Sequence, residues 1–85
     1  MEFDIIFYEE NGKFPVVDFL NSLTTIERDK MSYAISLLKR KGNQIKMPYS
    51  EPVEDKIFCL RAKSNKRCIR ILYFFYHHGK IISRL

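Results

Sequence analysis

The chain has 85 residues, with two Cys, no Trp and a net charge of +5 from 15 Lys+Arg against 10 Asp+Glu. That length suits one domain over residues 1–85, and a chain so short buries only about 60% of its unfolded surface, so its core has to be dense. A hydrophobic content of 46%, with 14% aromatic, is too apolar for a disordered tail and too broken by charge for a membrane span. Cys59 and Cys68 are too few to staple a small secreted domain, and neither sits in a zinc-ligand cluster. The N-terminus lacks the basic start and long apolar run of a signal peptide, so a reducing, cytoplasmic location is expected.

Charge is distributed unevenly. Residues 1–29 hold seven acids and two bases, whereas residues 30–85 hold thirteen bases and three acids. Both a polyanion-binding surface and a plainly solvated basic face fit that asymmetry.

In chain order, residues 3–8 are β-branched and aromatic and read as a buried strand, closed by the turn Asn11-Gly12. Pro15 suits the first turn of a short helix carrying Val16, Phe19, Leu20 and Leu23 at helical spacing. Thr24 and Glu27 form a capping-box pattern that starts a second helix. Its apolar stripe is Met31, Ala34, Ile35 and Leu38, widened by Tyr33 and Leu37, and Gly42 ends it. Lys39, Arg40 and Lys41 in its last turn complement the helix dipole or touch a phosphate.

Residues 43–55 carry two prolines and no periodicity, which predicts a long crossing loop. Residues 56–61 alternate, residues 67–76 form a long aromatic run, and the intervening segment is a turn, so a hairpin is expected. His77-His78-Gly79 turns the chain again into a last strand over residues 80–85. The predicted fold is α+β: a two-layer β-α-α-β-β-β arrangement with a helical hairpin on a small, mainly antiparallel sheet.

A hairpin loop at residues 63–66 would pair 62 with 67, 61 with 68 and 59 with 70. Cys59, Arg61, Cys68 and Arg70 then share one face, while Phe58, Leu60, Ile69, Ile71, Tyr73 and Phe75 share the other and meet the helices. Two guanidiniums on an open, aromatic-lined face can grip phosphate, or can instead lock the sheet through carboxylates such as Glu54 or Asp55. The cysteines would lie diagonal to each other, at roughly 7–8 Å, and read as packing residues. His77 and His78, adjacent in a turn, point different ways, and no metal, Walker, Rossmann or Ser/His/Asp pattern is visible. A cationic face without such groups can still cleave RNA by forcing in-line attack of the RNA's own 2′-hydroxyl and stabilising charge on the phosphate. Arginine is a poor base, however, so such an enzyme needs its substrate positioned by something else.

Several runs together resemble a known family. They are Pro-Val-x-Asp-Phe-Leu at residues 15–20 after an N-terminal strand, Pro48-Tyr49 in the loop, Ile-Phe-x-Leu-Arg at residues 57–61 and Arg-Ile-Leu-Tyr-Phe-Phe at residues 70–75. The pattern resembles the RelE/HigB branch of the RelE/ParE toxin superfamily, including its phage-encoded members, over nearly the whole chain. The resemblance implies a RelE-like fold and the toxin of a type II toxin–antitoxin system, a metal-independent, cofactor-free and ribosome-dependent mRNA endonuclease. It further implies a cognate antitoxin, of helix-turn-helix type in the HigB branch, with the ribosome and mRNA as the other partners. Arg61 and Arg70 fall on the expected catalytic positions, and Lys46 and Lys56 lie where relatives present lysines to RNA. Lys63, Lys66 and Arg67 are expected to bind the RNA backbone beside them. Tyr73 matches the family tyrosine, but the hairpin register turns it into the core. Cys59 stands where the Glu-Leu-Arg pattern has an acid. Relatives continue with a stretch resembling His-Gly-Phe-x-Lys-Lys-Thr and a final helix, whereas this sequence stops at Leu85, so a C-terminally shortened member is expected. The alternatives are a protein-binding toxin of the ParE, gyrase-inhibiting type and an inactive remnant that only binds its antitoxin.

Overall fold

A computed structural model describes residues 2–77 and 79–84. Its elements are β1 (Asp4–Phe7), α1 (Pro15–Asn21), α2 (Thr25–Lys41), a 3-10 turn (Gly42–Gln44), β2 (Ser50–Glu54), β3 (Ile57–Lys63), β4 (Cys68–Tyr76) and β5 (Lys80–Arg84). The strands form one sheet in the order β1-β5-β4-β3-β2. β1 runs parallel to β5 and every other neighbouring pair is antiparallel. The α+β expectation holds, with one strand more than foreseen: β2 occupies part of the expected 43–55 loop. Pro52 lies in this strand, and because β2 is a sheet edge, the missing proline N–H costs no ladder bond on its outer side.

Local sequence explains the helices. Pro15 opens α1 at its first position, where the absent N–H would have had no partner. At α2 the Thr24 hydroxyl accepts from the Glu27 amide at 3.2 Å and the Glu27 carboxylate accepts from the Thr24 amide at 3.1 Å, so both halves of the capping box are present. Gly42 ends the helix at φ +54. A Cβ there would lie 2.0 Å from the Phe3 ring, so a glycine is required both by backbone conformation and by the aromatic side chain seated against it.

Both helices pack on a single side of the sheet. Met31, Ala34, Leu37 and Leu38 of α2 and Val16 of α1 meet Leu60, Ala62, Ile69, Ile71, Tyr73 and Ile81 in one buried cluster. Each large side chain fully withdrawn from water contributes about 1.5–3 kcal/mol, which is how so short a chain supports a core. Tyr73 is among the most buried, its ring stacked on Phe58 with centroids 5.5 Å apart and its hydroxyl hydrogen-bonded to the Ser50 hydroxyl. That bond ties β4 to the start of edge strand β2 and gives a buried polar group its partner. His78 and Leu85, the second member of the His77-His78 turn and the end of the expected last strand, lie outside the described residues.

Candidate functional site

The side of the sheet opposite the helices is set by the β3–β4 register. Arg61 pairs directly with Arg70, Cys59 with Leu72 and Lys63 with Cys68. The expected pairing of 61 with 68 is therefore corrected by two residues. The loop is residues 64–67, because β3 extends through Lys63 and the Ser64 hydroxyl accepts from the amides of Lys66 and Arg67 to close the turn. A two-residue shift leaves every side chain on its expected face. It also separates Cys59 from Cys68 by four ladder positions, and both are free thiols.

Like charges directly opposed across a sheet repel, so Arg61 and Arg70 need compensation. Part of it comes from Glu51, whose carboxylate lies 3.8 Å from Arg61 Nη1. The sequence reading offered Glu54 or Asp55 for this role; Glu51 takes it because β2 exists and sets Glu51 opposite Cys59. Arg61 is held tightly, its side chain 21% exposed and its Nε buried with no hydrogen-bond partner. Arg70 is exposed, and among the described residues no carboxylate pairs with it. A third guanidinium joins the face from β5: Arg84 is opposite Leu72, and its charge sits 4.7 Å above the Tyr8 ring.

Burial, the largest influence, pushes the Cys59 thiol up despite Arg70 nearby, so it stays neutral and unreactive near neutral pH. The Cys68 thiol first, and Glu51 after it, hold Arg61 more firmly protonated. Burial likewise raises the Tyr73 phenol, against the Ser50 hydrogen bond. The face can therefore place permanent positive charge against an anion, and neither Cys59 nor the arginines can act as a base there. No group of three or more His, Cys, Asp or Glu that could hold a metal ion occurs among the described residues.

The expected RNA-binding residues disperse. Lys63 lies on the arginine face beside Cys68, and Lys66 is exposed in the adjoining turn. Lys56, at the opposite end of β3, is five residues from Arg61, about 17 Å along an extended strand. Lys46 is exposed in the segment leading to β2. Arg67 is engaged by Glu27, with Nε to Oε2 at 2.6 Å and Nη2 to Oε1 at 2.9 Å, a bidentate pair joining the hairpin tip to the start of α2. Arg67 first, and then the Thr24 amide, lower the Glu27 carboxyl from 4.5 to about 2. A carboxyl depressed on folding stabilises the native state above its unfolded value near 4.5, and that stabilisation drains away as pH falls toward about 2. Thermal melts from pH 6 down to pH 2 are expected to fall more steeply for the wild type than for Glu27→Gln; parallel curves would contradict this role.

One arrangement has no linear sequence signal. Tyr33 of α2, 53% exposed, meets Tyr49 edge to face with ring centroids 5.9 Å apart. The pair stands between two open clefts. One, of about 700 Å³, is lined by Lys41, Asn43, Gln44 and Lys46 among others, and the other, of about 420 Å³, by Lys30, Lys63 and Arg61. Sequence spacing placed Tyr33 at the rim of the core stripe; its partner is sixteen residues away in a segment read as loop.

Comparison with known proteins gives one family match. The model of the family described as phage-derived protein Gp49-like (DUF891) aligns with residues 18–83, which include α2, β2, β3, β4 and all of β5 but Arg84. No curated protein matches the chain significantly. No helix among the described residues is long and apolar enough to cross a membrane.

Proposed function

Since the chain belongs to the Gp49-like phage-derived family, a RelE/HigB-type toxin family of toxin–antitoxin systems, we propose that it is a toxin that cleaves messenger RNA on the ribosome. The observation that carries this reading is the direct opposition of Arg61 and Arg70 on the helix-free side of the sheet. An RNA phosphate placed between them receives two forked donors, and the repulsion that the pair otherwise suffers becomes attraction for an anion.

The reaction suited to such a face draws its nucleophile from the substrate. The 2′-hydroxyl oxygen attacks the adjacent phosphorus, the bond from phosphorus to the 5′ oxygen breaks, and a 2′,3′-cyclic phosphate and a 5′-hydroxyl result. The 2′ proton is lost to solvent and the leaving oxygen takes one up. Arg61 and Arg70 stabilise the extra charge on the pentavalent phosphate, and Lys63 and Lys66 hold the neighbouring backbone. Lys46 and Lys56, farther along the surface, meet RNA or ribosome at a distance from the scissile bond. Arg67 supports the hairpin through Glu27 and offers its remaining edge to phosphate. In-line geometry has to be imposed from outside, and a ribosome holding the message in its decoding site does that, which favours ribosome dependence. The family implies an antitoxin partner, and we assign it to the helix-turn-helix type of the HigB branch.

Primer extension on a defined message, with translating ribosomes and purified protein, tests the reading. New 5′ ends are expected with ribosomes and not without them. Intact message, together with arrest of DNA replication in expressing cells, would replace this reading with the gyrase-inhibitor one.

A further inference from the structure

The Tyr33–Tyr49 pair has no part in the chemistry above, although its two flanking clefts share Arg61, Lys63 and Lys46 with it. Exposed aromatic rings flanked by cations recur where proteins hold single-stranded nucleic acid: every base has a π-face to stack, and the backbone follows the charge. Here the cleft on one side offers Lys41 and Lys46 with the amides of Asn43 and Gln44, groups that donate to and accept from base edges. Its lining contains no carboxylate. The cleft on the other side offers Lys30 and Lys63 against one acid, Asp29, and Arg61 is part of its lining. That second cleft lies where β3 runs past the start of β2: the Arg61 amide still donates to the Tyr49 carbonyl at 2.7 Å, and the β2 ladder does not reach residues 62–63. Taken together as one groove, the two clefts share Tyr33 and Tyr49, with the end of α2 lining the first and Arg61 and Lys63 among the lining of the second.

We propose that this groove is a binding track for single-stranded RNA in which a base stacks on Tyr33, supported from the side by Tyr49, while Lys41, Lys46, Lys30 and Lys63 follow the phosphates toward Arg61. The proposal rests on the reading of the protein as an RNA-cleaving toxin and adds the seat of the nucleotides away from the scissile bond. Tyr33 is the stacking surface because it is the more exposed ring, and Tyr49 holds it by an edge contact.

A short single-stranded RNA carrying 2-aminopurine tests it, since fluorescence of that base falls when it stacks. Wild-type protein and Tyr33→Phe are expected to bind the oligonucleotide and quench it, because stacking needs the ring and not the hydroxyl. Tyr33→Ala is expected to bind about 5- to 100-fold more weakly and to leave the fluorescence unquenched. Lys41→Gln/Lys46→Gln is expected to weaken binding and flatten its salt dependence with little change in thermal stability. Tyr33→Ala binding and quenching like the wild type, with ribosomal cleavage intact, would overturn the track and leave the nuclease reading standing. Wild-type protein that neither binds RNA nor cleaves message would remove both.

Discussion

Replacing Arg61 by alanine is expected to reduce cleavage of ribosome-bound message by about 10²–10³-fold, the usual loss when one preorganised donor to a developing anion is removed. The loss should fall on the rate of the bound complex more than on binding, because charge on the phosphate grows as the new bond forms. Arg70→Ala should lose a similar factor. The double variant should lose less than the product of the two, since the guanidiniums face one another across a single pair of ladder positions and, in the proposed mechanism, share one phosphate. Stability gives an internal control. Removing Arg70 relieves a like-charge pair and should leave melting unchanged or raised, whereas Arg61→Ala also strips Glu51 of its partner. Single-turnover cleavage by the three variants checks the prediction, and undiminished rates would remove the arginine face from the mechanism.

The second large effect is on stability. Gly42→Ala is expected to destabilise the fold by about 2–5 kcal/mol, combining a backbone conformation hostile to a Cβ with displacement of a packed ring. The added carbon would fall 2.0 Å from Phe3, and Phe3 cannot give way freely, since its amide donates to the Lys39 carbonyl at 2.8 Å and its ring packs edge to face on Phe75. Moving it loosens β1, the parallel strand on which β5 closes. Gly12→Ala separates the two causes, because Gly12 also has a positive φ, of +78, but nothing lies near its added carbon. It should cost only the backbone part, about 1 kcal/mol. Denaturant titrations giving equal losses for the two variants would show that the Phe3 contact contributes nothing.

Much of this architecture is legible in the sequence where a signal is local. Pro15, the Thr24 and Glu27 capping box and Gly42 mark helix ends because each answers a requirement of a terminal peptide group at its own position. The faces of β3 and β4 follow from alternation alone, so Arg61 and Arg70 could be placed together on one side even while the pairing was two residues out. What escaped depends on contacts distant in sequence. β2 has no alternation and contains a proline, and it is a strand because β3 offers it a ladder along an edge. Glu51 becomes the partner of Arg61 only through that ladder. Arg84 reaches the same face through its position opposite Leu72, and Tyr33 meets Tyr49 only when α2 lies beside the segment entering β2. Arg67 read as one more surface cation because nothing near it in sequence announces Glu27, forty residues earlier.

The central claim is that a face furnished with arginines, and with a thiol that stays protonated, drives RNA to cut itself. A message bearing a single 2′-deoxy nucleotide immediately 5′ of a mapped cleavage point, presented on ribosomes to the wild-type protein, tests this most directly. Cutting is expected to disappear at that point and to persist at the unmodified points of the same message. Continued cutting at the deoxy position would mean that the nucleophile comes from elsewhere, and the proposed chemistry of Arg61 and Arg70 would be wrong.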